Sequence, residues 1–136
     1  MNIDKYKADH VTIMRLVTDL RQLVLDGVEK QPAAIAQKVV AISSTIKMHL
    51  IVEDQVLYPA MRRSEAPTVA QTAIRFQKEM GPLADDFTVF ARRWNTELRV
   101  KSEPVAMHDE ALAMISRIRL RMQQENQELY PLAEKF

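Results

Sequence analysis

The sequence contains one eleven-residue phrase twice, and the difference between its two copies guides the interpretation of the whole chain. The first copy is HLIVEDQVLYP at residues 49–59, and the second is RMQQENQELYP at residues 121–131. Glu, Leu, Tyr and Pro recur at the same places, whereas His49 of the first copy is Arg121 in the second. His49 and Glu53 are four residues apart, which places both side chains on one face of a helix, about 6 Å apart. That spacing suits a shared metal ion.

The composition around the two copies predicts an all-α protein. A chain of 136 residues is long enough for one domain with a single core, and we expect that domain to span residues 1–136. Two Gly residues, with 47% hydrophobic and 27% charged residues, favour long helices over strands and turns. The chain has no Cys, which excludes disulfides and thiolate metal sites.

The charge and the N-terminal sequence bear on partners and location. The formal net charge is +1 with both signs interleaved, which gives no electrostatic reason to expect nucleic acid or a membrane surface as a partner. The first residues, MNIDK, lack an apolar signal region, and no apolar run approaches the roughly 20 residues that span a bilayer. We therefore expect a soluble, cytoplasmic protein.

Apolar residues at steps of three and four predict four amphipathic helices. The first ends near Gly27, the second and third begin at Pro32 and Pro67, and Ser102 would cap the fourth before Pro104. Because the connections are short, these helices should form an up-down-up-down antiparallel four-helix bundle. The second stripe consists of Ile35, Val39, Ile42, Ile46, His49, Glu53 and Val56, and the third extends from Ala73 to Leu98.

Gly81-Pro82 interrupts the third predicted helix. Pro82 has no N–H to donate to the carbonyl four residues earlier, so we expect a kink or a break there. A cavity lined by Phe76, Met80 and Leu83 is a plausible consequence of that break.

Five polar residues lie on these apolar stripes: His10, His49, Glu53, Arg121 and Glu125. A buried, unpaired carboxylate costs several kcal/mol, so two of them in one core require a partner. In an antiparallel bundle the start of the first helix lies level with the ends of the second and fourth. Two imidazoles and two carboxylates would then meet there, a ligand set suited to Fe, Mn or Zn.

Structural roles for the same residues are the alternative. A single buried His is more often hydrogen-bonded than metal-bound, and a Glu–Arg pair can be a buried salt bridge. Tyr58 and Tyr130 could hydrogen-bond a ligand or take part in redox chemistry. We expect instead that each anchors the end of its helix, where Pro59 and Pro131 bend the chain.

Asp9-His10, His49-x3-Glu53 and the two Leu-Tyr-Pro endings together resemble the hemerythrin-like (HHE cation-binding) domain, over essentially the whole chain. The resemblance implies an up-down four-helix bundle that holds two irons bridged by two carboxylates and that binds dioxygen or senses iron and oxygen. Carried onto this sequence, it makes His10 and His49 ligands of one iron. Glu53 and Glu125 would be the bridging carboxylates.

The ligands that the resemblance implies for the other iron are missing from this sequence. The family takes two His from the third helix and one from the fourth, and the matching positions here are Phe76, Met80 and Arg121. None is an ordinary ligand for iron, since the Met thioether is soft. His108 lies far from Arg121 along the fourth helix, and we expect it at the surface. Reversible dioxygen binding of the two-iron kind is therefore not expected.

These observations leave three functional hypotheses. In the first, the protein binds one metal ion, Fe in preference to Mn or Zn, through His10, His49, Glu53 and Glu125, and acts as a metal, oxygen or redox sensor or as a carrier. In the second, a metal-free bundle binds a protein partner, and Arg121 pairs with the carboxylates in place of the second metal. The third, a single-iron oxidase or peroxidase-like enzyme, requires open coordination positions and a substrate channel.

Overall fold

The computed structural model describes residues 1–135, and within that range the chain is helical with short connections and no strand. This confirms the predicted all-α class. The chain has four long helices, and one short helix connects the third of them to the fourth. The second and the fourth long helices each continue through a π-helical turn into a further α segment. In chain order the elements are α1 (Asp4–Asp26), α2 (Pro32–Val52), π1 (Glu53–Leu57), α3 (Tyr58–Arg62), α4 (Pro67–Trp94), α5 (Glu97–Ser102), α6 (Pro104–Gln124), π2 (Glu125–Leu129) and α7 (Tyr130–Lys135).

Most predicted helix boundaries are correct. Gly27 follows α1 with φ of 123°, a conformation that favours glycine, and its N–H donates to the carbonyl of Val24. Pro32, Pro67 and Pro104 each lie in the first turn of a helix, where the missing N–H has no intrahelical acceptor to lose.

The predicted cap at Ser102 is wrong. Ser102 belongs to the short helix α5, and its hydroxyl donates to the carbonyl of Arg99 at 3.0 Å. Glu103 precedes α6 instead, without a side-chain capping bond. The third long helix ends at Trp94, earlier than its predicted apolar stripe, which extended to Leu98. Leu98 instead lies on α5 and is exposed.

Of the predicted kink or break at Gly81-Pro82, the break is wrong, because α4 is continuous through both residues, and the kink stays a prediction. Pro82 cannot donate to the carbonyl of Lys78, but both residues lie on the exposed side of α4, where water can supply the missing donor. The expected cavity is small and apolar, about 10 Å³, and is lined by Met80 and Leu83 among others. Phe76 does not line it.

The core has two apolar parts, one on each side of the level where the polar residues lie. The larger part fills the bundle between α1, α2, α4 and α6 and includes Ile13, Ile46 and Met122. The smaller part includes Tyr6 and Tyr130. His10, His49, Glu53, Arg121 and Glu125 are all buried between the two parts.

One stretch qualifies the expectation about membrane spans. Residues Pro32–Arg62 form a 31-residue helical stretch whose most apolar 18-residue window has a mean hydropathy of 1.3, which by length and composition alone is enough to cross a bilayer. No uninterrupted apolar run is long enough to span a bilayer, but the hydropathy averaged over this window of the helix is high enough for a span. The finding is weak support for a span, because a core helix of a helical bundle passes the same test and this stretch contains the buried His49 and Glu53.

Candidate metal centre

Four of the predicted ligands meet in the centre of the bundle. One donor atom from each of His10, His49, Glu53 and Glu125 can be chosen so that all lie within 4.8 Å of one another, and each residue is at most 2% exposed. His10 Nε2 lies 3.1 Å from His49 Nε2 and 2.9 Å from Glu125 Oε1. His10 comes from the first half of α1, His49 from the end of α2, and each Glu begins a π turn.

The outer nitrogen of each imidazole is held by a second side chain. His10 Nδ1 lies 2.8 Å from Asn126 Oδ1, and His49 Nδ1 lies 3.2 Å from Asp9 Oδ2. Both partner oxygens are acceptors, so this network assigns a hydrogen to each Nδ1 and directs each Nε2 into the cluster. Metal-binding imidazoles are oriented in this way. The role of Asp9 was not predicted, and Asn126 was missed because it follows a ligand directly and a helix points adjacent residues in different directions.

The two carboxylates differ in their partners. Glu125 Oε1 contacts His10, and Glu125 Oε2 accepts a hydrogen bond from Arg121 Nε at 3.0 Å. Burial alone would raise the pKa of Glu125, but the hydrogen bond with His10, the nearby His49 and the charge of Arg121 lower it to about 2. Burial, followed by the charge of Glu125, raises the pKa of Glu53.

Glu53 also has an oxygen without a hydrogen bond. Its Oε2 accepts from the hydroxyl of Tyr130 at 2.9 Å, whereas its buried Oε1 has no hydrogen-bond partner among residues 1–135. His49 Nε2 is 3.4 Å from that oxygen, which is an ion-pair distance, but the contact does not have hydrogen-bond geometry. A buried carboxylate oxygen without a donor is costly unless a cation lies beside it.

The imidazoles themselves favour a positive charge at this level. Burial opposes the charged form of His49, but its close contacts with the carboxylates of Glu125 (3.7 Å) and Glu53 (3.4 Å) outweigh burial and raise its pKa to about 10. Two Nε2 atoms 3.1 Å apart would repel each other if both presented lone pairs. Either a proton or a metal ion relieves that repulsion.

Arg121 lies on the opposite side of Glu125 and is 4% exposed. Besides its bond to Glu125, it donates from Nη2 to the backbone carbonyl of Phe76 at 2.7 Å and to the hydroxyl of Tyr58 at 3.3 Å. Its guanidinium carbon also lies 4.5 Å from the centre of the Phe76 ring. The expected bond to Glu125 is therefore present. The expectation that Arg121 binds both carboxylates at once is wrong, since none of its bonds goes to Glu53.

The π turns determine which side chains follow each Glu into the core. In each turn the N–H of the Tyr donates to the carbonyl of the Glu five residues earlier, Tyr58 to Glu53 and Tyr130 to Glu125. The extra residue in the turn returns the Tyr to the face of the Glu, whereas an α-helix would carry it about 140° away. The same shift explains why Val56, which was predicted to be buried, is 50% exposed and Leu57 is buried in its place.

The hydroxyl of each Tyr contacts polar residues that lie beside or within the other copy of the phrase. The Tyr130 hydroxyl is 2.8 Å from His10 Nε2, and the Tyr58 hydroxyl accepts from Arg121. The expectation that both residues only anchor helix ends is therefore wrong. The repeated five-residue spacing from Glu to Tyr was the available signal, but an α-helical period does not place those residues together.

The remaining positions considered as ligands stay outside the cluster. His108 lies in α6, its side chain is 44% exposed, and it pairs with the neighbouring Asp109. Phe76 and Met80 are buried at the places where the resemblance implies His, and neither side chain offers a nitrogen or oxygen.

The residues present fit one metal ion. The four donors are two imidazole nitrogens with their outer N–H groups engaged and two carboxylates, one of them with a buried oxygen that lacks a hydrogen bond. Nitrogen and oxygen donors of this kind suit Fe, Mn and Zn. Bound there, an ion would supply the positive charge that Glu53 lacks.

Fold and site together define a helical protein with a buried histidine–carboxylate cluster of the metal-binding kind. The family model of the hemerythrin HHE cation-binding domain matches residues 1–133. The chain belongs to that family, as the resemblance indicated. It matches no curated protein and no solved structure.

Proposed function

We propose that this protein binds a single metal ion through His10, His49, Glu53 and Glu125. The observation that carries the proposal is the convergence of these four buried side chains around an oxygen of Glu53 that has no hydrogen bond. Arg121 supports a site for one metal ion rather than two. It supplies a fixed positive charge to the far oxygen of Glu125, where a bridging carboxylate would otherwise meet a second ion.

The donor set favours iron, with manganese or zinc as alternatives. We propose that the bound ion serves metal, oxygen or redox sensing, or carriage of the metal, rather than two-iron dioxygen binding. The buried ligands support a role in binding over catalysis by a single-iron oxidase or peroxidase, which would need open coordination positions. A cytoplasmic location and one domain over residues 1–136 belong to the same proposal.

The up-down-up-down order of the four long helices is the arrangement that best explains the cluster. His10, in the first half of α1, contacts His49 near the end of α2 and Glu125 at the end of α6. The pairing of Lys38 with Asp19, nearer the other ends of α2 and α1, agrees with antiparallel packing of these two helices.

Metal analysis tests the proposal directly. Protein purified without chelators or nickel resin, and then reconstituted separately with Fe(II), Mn(II) or Zn(II), should hold close to one equivalent of one of these ions. Two equivalents would contradict a single site. No binding of any of the three would contradict the proposal itself.

A second candidate function, a metal-free bundle that binds a protein partner, is supported by the charges in the site. Arg121 and a protonated His49, with its pKa raised to about 10 by contacts with the Glu125 and Glu53 carboxylates that outweigh its burial, supply two positive charges for two carboxylates. The site can thus reach neutrality without an ion. Absence of metal after all three reconstitutions would favour this function.

A further inference from the structure

The hydroxyl of Tyr130 lies among the four candidate ligands. It is 2.8 Å from His10 Nε2, 3.3 Å from His49 Nε2, 2.9 Å from Glu53 Oε2 and 3.3 Å from Glu125 Oε1. Tyr130 is fully buried, and its ring packs against His10 with the ring centres 4.9 Å apart. Its position is therefore fixed by packing as well as by polar contacts.

The hydroxyl is as close to the four donors as some of those donors are to one another. His10 Nε2 lies 3.1 Å from His49 Nε2 and 2.9 Å from Glu125 Oε1, and the four donor atoms all lie within 4.8 Å of one another. Donors bound at about 2.1 Å to one ion are about 3.0–3.4 Å apart where they are neighbours around it, so the hydroxyl is close enough to share an ion with them.

Hydrogen bonding alone cannot make both carboxylate contacts of this hydroxyl favourable. A phenol has one hydrogen to donate, and two carboxylates, Glu53 and Glu125, lie within 3.3 Å of it. Only one of them can accept that hydrogen, so the other oxygen–oxygen contact is unfavourable. A cation shared by the phenol oxygen and both carboxylates would make all of these contacts favourable.

We propose that Tyr130 is a fifth protein ligand of the metal ion, bound through its phenol oxygen, with the phenol proton displaced by the ion and released to solvent. The inference rests on the proposed metal site. The second copy of the phrase would then complete the site of the first, with Tyr130 delivered by π2. The equivalent residue of the first copy, Tyr58, faces Arg121 and has no such role.

A spectroscopic experiment on the full chain tests this assignment. Wild-type protein, Tyr130→Phe and Tyr58→Phe are loaded with Fe(III), the bound iron is quantified, and the visible absorption and resonance Raman spectra are recorded per iron. A phenolate bound to Fe(III) gives a charge-transfer band in the visible region and enhanced phenolate vibrations. We expect both signals in wild type and in Tyr58→Phe, and their loss in Tyr130→Phe.

The outcomes separate this inference from the proposed function. Bound iron without the phenolate signals in wild type, or signals that persist unchanged in Tyr130→Phe, would overturn the assignment and leave the four-ligand site standing. If wild type binds no metal, both proposals fail. If Tyr130→Phe does not fold, Tyr130→His, which offers a nitrogen ligand, keeps the test open: we expect iron binding without the phenolate signals, and their persistence would contradict the assignment.

Discussion

His49 and Arg121 occupy equivalent places on two long helices, each one turn before a buried Glu and nine residues before a buried Tyr. The surroundings of the two residues differ in what supplies positive charge. Around Arg121 the charge is permanent, and it is held by bonds to Glu125, the Phe76 carbonyl and Tyr58. Around His49 the charge is exchangeable, because an imidazole can bind a proton or a metal ion but not both at one nitrogen.

Under the proposed function, Arg121 takes a structural role on one side of Glu125, while the His side binds the metal ion. Glu125 contacts both sides, through Oε1 on the His side and Oε2 on the Arg side. It is therefore satisfied in either state of the site. Glu53 depends on the His side, and its unbonded oxygen marks where a cation is still needed.

The largest effect should come from removing His49, the residue whose positive charge is exchangeable. His49→Ala should reduce the bound metal from about one equivalent to near zero, because a nitrogen donor and the orientation of the cluster are lost together. The helical circular dichroism signal should remain, since the apolar stripes are intact. His108→Ala is the matched control and should keep full metal content. Retention of one equivalent in His49→Ala would show that the site lies elsewhere.

Removing Arg121, whose positive charge is permanent, should destabilise the fold rather than abolish metal binding. Arg121→Leu leaves Glu125 without its charged partner in the core, so we expect a loss of about 3–5 kcal/mol in the free energy of unfolding of the metal-free protein. Denaturant titration after chelator treatment measures this loss. Arg117→Leu is the control, because Arg117 pairs with Asp86 on the surface and its loss should cost less than about 1 kcal/mol. Equal effects of the two substitutions would mean that Arg121 has no special role.

A smaller effect should follow from weakening the support of His49. Asp9→Asn keeps an oxygen acceptor for His49 Nδ1 but removes the negative charge that makes the imidazole a stronger ligand. We expect metal affinity to fall roughly 10- to 100-fold, as for other partners of metal-bound imidazoles. Competition with a chromogenic chelator measures the change. Asp4→Asn, an exposed change in the first turn of α1, should leave affinity unaltered.

A further effect concerns pH. Burial opposes the charge of His49, but contacts with the carboxylates of Glu125 and Glu53 raise its pKa from 6.5 to about 10. The bound proton therefore stabilises the metal-free fold fully below pH 6.5, and this stabilisation is lost as pH rises to about 10. A metal ion must displace that proton, so apparent affinity should rise by up to about tenfold per pH unit over this window. A pH-independent affinity in titrations at several pH values would show that His49 is neutral without metal.

The four long helices, the proline starts, the stop at Gly27 and the four candidate ligands were all accessible from the sequence, because each depends on local chemistry or on a regular period. Tyr130, Asn126 and the exposure of Val56 were not, because each depends on an interruption of that period. The continuous α4 was misjudged because Pro82 was assessed without its exposure. Whether a proline breaks a helix depends on which side of the helix faces water.

The π turns also make both helices sensitive to length. Three consecutive exposed residues separate each Glu from the buried Leu-Tyr pair, and of those after Glu125 it is Asn126 that contacts the core, through His10, so an exchange at Gln127 should be tolerated. Deleting the same residue would leave Tyr130 four residues after Glu125, a spacing at which an ordinary α-helix already keeps both side chains on one face. Inserting a residue there would instead rotate every later side chain by about 100° relative to Glu125 and carry Tyr130 away from the cluster. In this protein a single-residue insertion at an exposed position in a π turn should therefore do more damage than a deletion at the same position.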